Sequence, residues 1–247
     1  MHILKISGDK LDNNEFLGQF AGYIATQPEP VVIVHGGGRG IANLQAKLGL
    51  PTLKVDGLRV TDAESLVVAE MVLSGMANKR LVAALMAAGV DAVGLSGIDG
   101  GLLRCQKKAH PTADLGYVGQ ITAVRTDLIT NLLERGITAV ISPISLGPAY
   151  HAYNVNADEV ASAVALALQA DLLDFVSNVP GVMENGRIFS HLTPAQCASL
   201  RQREIIVDGM IPKVQAALDA VAQGVAQARI VDMAGLLSEG GTWFSQE

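Results

Sequence analysis

Short apolar runs alternate along this chain with longer stretches in which apolar positions recur every third or fourth residue. The runs predict strands at His2–Ile6, Val31–Val34, Asp91–Leu95, Thr138–Ser142, Leu173–Ser177 and Arg229–Val231. The longer stretches predict helices over Asn13–Thr26, Ile41–Lys47, Asp62–Ala88 with a break near Gly75, Val124–Glu134, Ala157–Leu168 and Pro212–Ala222. Strands that are apolar on both faces and alternate with helices imply βαβ crossovers and a mostly parallel sheet covered on both sides. Leu102 to Ile121 breaks this rhythm; turn residues at His110-Pro111 and Gly116 make it read as antiparallel hairpins. No internal repeat, low-complexity tract or interdomain linker interrupts the chain. The fold class is therefore α/β, a three-layer αβα sandwich with a mostly parallel central sheet, one domain over 1–247 in two lobes.

Composition narrows the class of partner. Of 247 residues 49% are hydrophobic and 17% charged, which excludes a disordered chain. Eighteen basic against twenty-four acidic residues give a net charge of −6, so nucleic acid and anionic membrane are poor partners. The two cysteines, Cys105 and Cys197, are too few for a disulfide framework or a Cys-rich metal site and suit a reducing cytosol. The most apolar stretch, Val160 to Val176, is interrupted by Gln169, Asp171 and Asp174 and falls short of the roughly 20 residues that a membrane span needs. No secretory signal pattern is visible at the N-terminus. A soluble, cytoplasmic protein is expected.

Candidate chemistry collects where the expected strands end. His35-Gly36-Gly37-Gly38-Arg39-Gly40 stands between a strand and a helix, where glycine lets backbone amides approach an anion; a tight turn is the plainer reading. Neither the dinucleotide fingerprint nor the P-loop pattern is satisfied there. Lys5 in the first strand is either a snorkelling edge residue or a placed cation. Lys213 opens a helix behind Pro212, against the helix dipole, which needs some compensating gain. Asn156, Asp158 and Glu159 fit ordinary helix capping. In Gly57-Leu58-Arg59-Val60-Thr61-Asp62 a cap at Thr61 or Asp62 does not explain Arg59, whose guanidinium fork suits a carboxylate. Gly94 to Gly101 and Ser177 to Val182 are further turn-rich strand exits.

Taken in order, these segments carry a resemblance. Val34-His35-Gly36-Gly37-Gly38, Gly57-Leu58-Arg59-Val60-Thr61, Gly94-Leu95-Ser96-Gly97-Ile98-Asp99-Gly100, Leu115-Gly116-Tyr117-Val118-Gly119, Asn154-Val155-Asn156-Ala157-Asp158, Val179-Pro180-Gly181-Val182 and Gly209-Met210-Ile211-Pro212-Lys213 fall in register along essentially the whole length. The sequence resembles the amino-acid kinase family, with its carbamate kinase-like fold, and within it the acetylglutamate kinases. The resemblance implies an N-terminal lobe (approximately 1–170) for the acyl-amino acid and for dimerisation, and a C-terminal lobe (approximately 171–247) for ATP. The implied reaction is phosphorylation of N-acetyl-L-glutamate by ATP with Mg²⁺, the metal held mainly by nucleotide phosphates and by no named protein ligand. The resemblance gives Lys5 and Lys213 contact with the transferring phosphoryl group and gives Asp158 the task of orienting those lysines. Gly37 and Gly38 match backbone donors to substrate, Arg59 the carboxylate-binding arginine and Asn154 a holder of the acyl-amino acid. Gly8, the stretch Asn178, Val179, Pro180, Gly181, Val182 and Met183, and Ile205, Ile206 and Val207 match nucleotide contacts.

Some positions depart from the family pattern. Ser7 replaces a glycine, Arg39-Gly40-Ile41-Ala42 replaces Pro-Gln-Ile-Asn, and Asn178 replaces an aspartate, as in related kinases of lysine biosynthesis. Those kinases act on an acceptor one methylene longer, and a methylene discriminates by only about 1–3 kcal/mol. They form the nearest alternative; a non-catalytic nucleotide or amino-acid sensor is another, against which the joint presence of Lys5, Asp158 and Lys213 argues. Only Met1 to Leu4 precede Lys5, too few for the N-terminal helix that links arginine-regulated relatives into rings. A homodimer without strong arginine inhibition is therefore expected, with Leu66–Leu73 and Ala77–Leu85 as its surface or as ordinary core.

Overall fold

The structure is a computed structural model describing residues 1–55 and 57–245. In chain order the first half contains β1 (His2–Ile6), α1 (Asn14–Ala25), β2 (Val32–His35), α2 (Gly38–Lys47), β3 (Lys54–Val55), β4 (Leu58–Arg59), α3 (Ala63–Glu70), α4 (Asn78–Ala87), β5 (Ala92–Ser96), β6 (Leu103–Lys107), β7 (Gly119–Val124) and α5 (Thr126–Leu133). The second contains β8 (Thr138–Ser142), β9 (Ile144–Leu146), β10 (Ala152–Asn154), α6 (Ala157–Ala167), β11 (Leu172–Val176), β12 (Met183–Glu184), β13 (Arg187–Ile188), α7 (Pro194–Gln202), α8 (Met210–Ala222), β14 (Gln227–Val231), α9 (Met233–Ser238) and β15 (Thr242–Ser245). Each strand expected from the apolar runs is present within one or two residues of its expected span.

The central sheet has seven strands in the order β15-β14-β11-β1-β2-β8-β5. All its pairings are parallel except β14 with the edge strand β15. Alternation along each strand divides the core in two. Leu4, Ile6, Ile33, Val140 and Val176 pack against Phe16, Leu17 and Phe20 of α1 and Leu81 and Leu85 of α4. Ile3, Val32, Val34, Ile141 and Phe175 face the other way, onto Val160, Ala161 and Val164 of α6 and Val214 and Ala217 of α8. This is the expected αβα sandwich. The segment 102–121 forms an antiparallel pair, β6 with β7, inside a second sheet ordered β10-β9-β6-β7.

Two expectations change. The break near Gly75 is instead a π-helical stretch, Met71–Ala77, that joins α3 to α4 without interruption. The extra residue per turn rotates the helix face, and it delivers Asn78, fully buried, beneath the sheet. The helix expected to open at Pro212 begins at Met210, with Gly209 as its cap. The candidate dimer segments also serve mostly as core: Leu66, Val68, Ala69, Val72, Leu73, Leu81 and Leu85 are buried within the chain, leaving Val67 and Met71 exposed, with Met76 exposed between the two segments.

Candidate active site

In an open parallel sheet, a ligand crevice forms beyond the carboxyl ends of the strands, where the strand order reverses. Here that point is β1, flanked by β2 on one side and β11 on the other. Ladder bonds continue past the strand ends, Gly36 N–H to Ile6 O at 3.1 Å and Ser7 N–H to Val176 O at 3.3 Å, so three loops converge. The first two touch backbone to backbone. A Cβ on Gly8 would lie 2.0 Å from Gly38 N, and one on Gly38, at φ +50°, would lie 2.4 Å from Asp9 N. Only glycine allows this approach. Asp9 Oδ1 also accepts the Arg39 amide at 3.0 Å, which fixes the first loop to the opening turn of α2. Gly37 is the N-cap of that helix, so Gly37 and Gly38 stand at its positive end.

The charged residues follow from strand and helix geometry. Lys5 shares its face of β1 with Ile3, the face that packs on α6. Asn156 caps α6 by accepting the Asp158 amide at 2.8 Å, which sets Asp158 in the first turn. Lys5 Nζ then lies 2.8 Å from Asp158 Oδ1, a close ion pair between residues far apart in sequence. The carboxylate thus holds Lys5 by charge at the start of α6. Lys213, in the first turn of α8, donates to Gly209 O at 3.0 Å. Burial lowers its pKa, and the positive charge of Lys5 lowers it further; Asp158 and Asp9 oppose the shift. Two ammonium groups thus face one field, balanced by two carboxylates.

A cavity of about 300 Å³ opens beside them, lined by Ser7, Asp9, Ser177, Asn178, Val179, Gly209, Met210 and Lys213. It brings Asn178 and Val179 to Lys213. The remaining nucleotide candidates lie outside its lining. Val182 and Ile206 are core residues, and the Val182 amide donates to Thr242 Oγ1 at 2.8 Å. Met183 and Val207 are exposed.

The acceptor-side candidates are Arg59 on β4 and Asn154 on β10. Thr61, fully buried, joins them: Asn154 Nδ2 donates to Thr61 Oγ1 at 3.2 Å, and that hydroxyl donates to Arg59 O at 3.1 Å. The Arg59 side chain is half-buried, which lowers its pKa, and among the described residues no carboxylate pairs with it. Its NH1 donates instead to Gln45 Oε1 at 2.7 Å. A half-buried guanidinium with no anion beside it among the described residues is arranged to receive one.

Several supporting residues escaped the sequence reading. Besides Asp9 and Gln45, His35 is fully buried behind the glycine loop, with Nδ1 3.3 Å from Gly36 O and Nε2 3.1 Å from Asn78 Nδ2. Those partners assign the neutral tautomer with hydrogen on Nδ1. Burial pushes its pKa down to about 4. Asn78 spends a second donor on Val140 O at 3.0 Å, so the glycine loop is tied through His35 to the sheet. The one signal available in sequence was spacing: Gln45 follows Ile41 by one helical turn, on a face where an apolar residue was due.

The model of the amino acid kinase family matches residues 1–232. An acetylglutamate kinase from Roseiflexus sp. is 49% identical over 240 residues, 97% of this chain and 92% of its own. One from Geobacillus kaustophilus is 43% identical over 98% of this chain and 93% of its own. Among solved structures, a Streptococcus mutans protein superposes with a TM-score of 0.82 at 30% identity, covering 100% of this chain and 98% of its own. A carbamate kinase from Giardia, at 12% identity and a TM-score of 0.71, shares the fold over 100% of this chain and 98% of its own. With a family match over residues 1–232 and relatives that align with 97–98% of it, the chain belongs to the amino acid kinase family.

Proposed function

We propose that this protein transfers the terminal phosphoryl group of ATP to the side-chain carboxylate of N-acetyl-L-glutamate, giving N-acetyl-L-glutamyl 5-phosphate in arginine biosynthesis. The observation that carries this is 49% identity along 97% of the chain to an acetylglutamate kinase, together with the Lys5–Asp158 pair at the sheet crevice.

The chemistry matches the residues. A side-chain carboxylate with a pKa of about 4 is ionised at neutral pH, so its oxygen attacks the γ-phosphorus without a general base. The bond from the γ-phosphorus to the β,γ-bridging oxygen breaks, and ADP leaves with the electron pair. The barrier is the approach of two anions and the charge spread over the equatorial oxygens. Lys5 and Lys213 meet that charge, Asp158 holds Lys5 in place, and the amides of Gly37 and Gly38 orient the acceptor. Arg59 takes the acceptor's α-carboxylate while Asn154, braced by Thr61, holds the acylated end.

The C-terminal lobe, from about residue 171, holds the nucleotide, with Gly8, Asn178 to Met183 and Ile205 to Val207 around it; Val182 and Ile206 act from the core, behind the segments that carry them. The cavity offers oxygen donors on Ser7, Asp9, Ser177 and Asn178 but a single carboxylate. That set suits an Mg²⁺ that keeps its waters and rides on the phosphates, where it neutralises charge. The N-terminal lobe binds the acceptor and pairs into a twofold homodimer through the exposed Val67, Met71 and Met76. Among the described residues no helix is long and apolar enough to cross a membrane.

The test is ADP release with N-acetyl-L-glutamate, N-acetyl-aminoadipate, glutamate and no acceptor. Turnover highest with N-acetyl-L-glutamate is expected. A preference for the aminoadipate derivative would transfer the enzyme to the lysine-type reaction, and release independent of acceptor would overturn the kinase reading.

A further inference from the structure

Gln45 is a polar side chain at a position where α2 faces the core, and it is 0% exposed. A buried amide is costly unless each of its donors and acceptors is met. Gln45 is fully met. Its Oε1 accepts Arg59 NH1 at 2.7 Å and Thr52 Oγ1 at 3.0 Å. Its Nε2 donates to Ser65 Oγ at 2.8 Å and to Pro51 O at 3.4 Å. Oxygen toward two donors and nitrogen toward two acceptors leaves one orientation for the amide. Ser65 is itself fixed, because its amide donates to Asp62 Oδ1 at 2.8 Å at the cap of α3. Arg59 is therefore held by a rigid group that spans α2, the following loop and the start of α3.

We propose that Gln45 is a positioning residue that aims Arg59 at the acceptor's carboxylate while leaving its positive charge unspent. The inference rests on the reading of Arg59 as the carboxylate site. The neutrality of the amide is the point. A glutamate at this position would keep one oxygen within reach of the same guanidinium while turning the other toward the Pro51 carbonyl, and the ion pair it formed would compete directly with the substrate anion. An apolar residue of similar length would leave Arg59 NH1, Thr52 Oγ1 and Ser65 Oγ without their partner and the guanidinium free to turn. An amide fixes direction and keeps the site cationic. The ordinary role of a buried glutamine, satisfying its neighbours to hold a fold together, makes no prediction about which substrate group loses affinity; a positioning role does.

The experiment compares wild type, Gln45→Glu, Gln45→Met and Arg59→Ala by calorimetric binding and steady-state kinetics. The ligands are N-acetyl-L-glutamate and its analogue with the α-carboxylate replaced by a carboxamide. In wild type the acid is expected to bind better than the amide by at least about tenfold, the size of one charge-assisted hydrogen bond. In Gln45→Glu this preference should collapse toward unity, KM for the acceptor should rise by a similar factor, and KM for ATP should stay within about twofold. Gln45→Met should raise the acceptor KM while retaining part of the acid preference, since the cation remains. If Arg59→Ala leaves the acid-over-amide preference intact, the assignment of Arg59 fails. If Arg59→Ala abolishes the preference and a folded Gln45→Glu keeps it, Gln45 does not position the site and this inference alone is overturned.

Discussion

Lys5 Nζ and Asp158 Oδ1 stand 2.8 Å apart across the boundary between the central sheet and α6. The contact makes a strand cation and a helix-cap carboxylate into one unit, with Lys213 close enough to feel both charges. In the proposed reaction, replacing Lys5 or Lys213 by alanine should lower kcat roughly 10²–10³-fold, because the charge assigned to them is greatest in the transition state. KM for the acceptor should change little. Asp158→Asn should lower kcat as well by releasing Lys5. Near-wild-type turnover in either purified lysine variant would remove these residues from the reaction.

With Lys213 in its proposed role, the same cluster implies a pH limit. Lys213 must be protonated to meet a phosphate, and burial with Lys5 holds its pKa below that of an ordinary lysine. Activity should therefore fall on the alkaline side earlier than a free lysine would allow. Asp9 raises the Lys213 pKa, and its Oδ1 also accepts the Arg39 amide. Asn keeps an acceptor at that oxygen but removes the charge. In Asp9→Asn the alkaline limb of kcat should move to lower pH while the glycine loops stay in place. A limb that stays still, or moves upward, would show that Asp9 does not act on Lys213.

Much of this molecule was written in the apolar pattern. Strands buried on both faces leave a strong signal, and β1, β2, β5, β8, β11 and β14 were found. The edge strand β15, four residues long and antiparallel, carries no such run. The helix α7 lies outside the expected elements, although Thr193 and Gln196 form a reciprocal capping box, a start signal present in the sequence. The π segment, Met71 to Ala77, reads in sequence only as a helix broken near Gly75, because nothing in its residue types marks the extra residue per turn. Site residues that belong to motifs were legible by resemblance. The ones that hold them were not, because Gln45–Arg59 and His35–Asn78 are contacts between elements, and nothing local to either residue announces the other.

A third expectation concerns the sheet's far end. Asp174 is 0% exposed and takes two hydrogen bonds of 2.6 Å from Arg229, with His2 Nε2 a further 2.9 Å away. Burial opposes ionisation, but the bonds from Arg229 and His2 prevail and hold the carboxyl below the usual aspartate value. Asp174→Ala would leave the Arg229 guanidinium buried and unpaired, at a cost of about 3–5 kcal/mol. Urea denaturation checks this, and a loss under about 1 kcal/mol would mean that water or a neighbour replaces the carboxylate.

The last expectation follows from His35. Its folded pKa of about 4 lies below the ordinary histidine value of 6.5, so the native state holds the ring neutral while the unfolded chain takes up a proton first. A depressed pKa contributes stability that is complete above pH 6.5 and is lost as pH falls toward 4, because the unfolded state binds the extra proton in that window. Between pH 7.5 and pH 5 the loss amounts to about 2 kcal/mol from this one group. Protonation would also turn Nε2 from an acceptor into a donor facing Asn78 Nδ2, which is already a donor, so the tie from the glycine loop to the sheet would break as the charge appears. Denaturation at the two pH values should show a steep loss in wild type and a shallower one in His35→Gln, which cannot titrate. Equal slopes in the two proteins would assign the acid sensitivity elsewhere and remove His35 from its role as the neutral clamp behind Gly36.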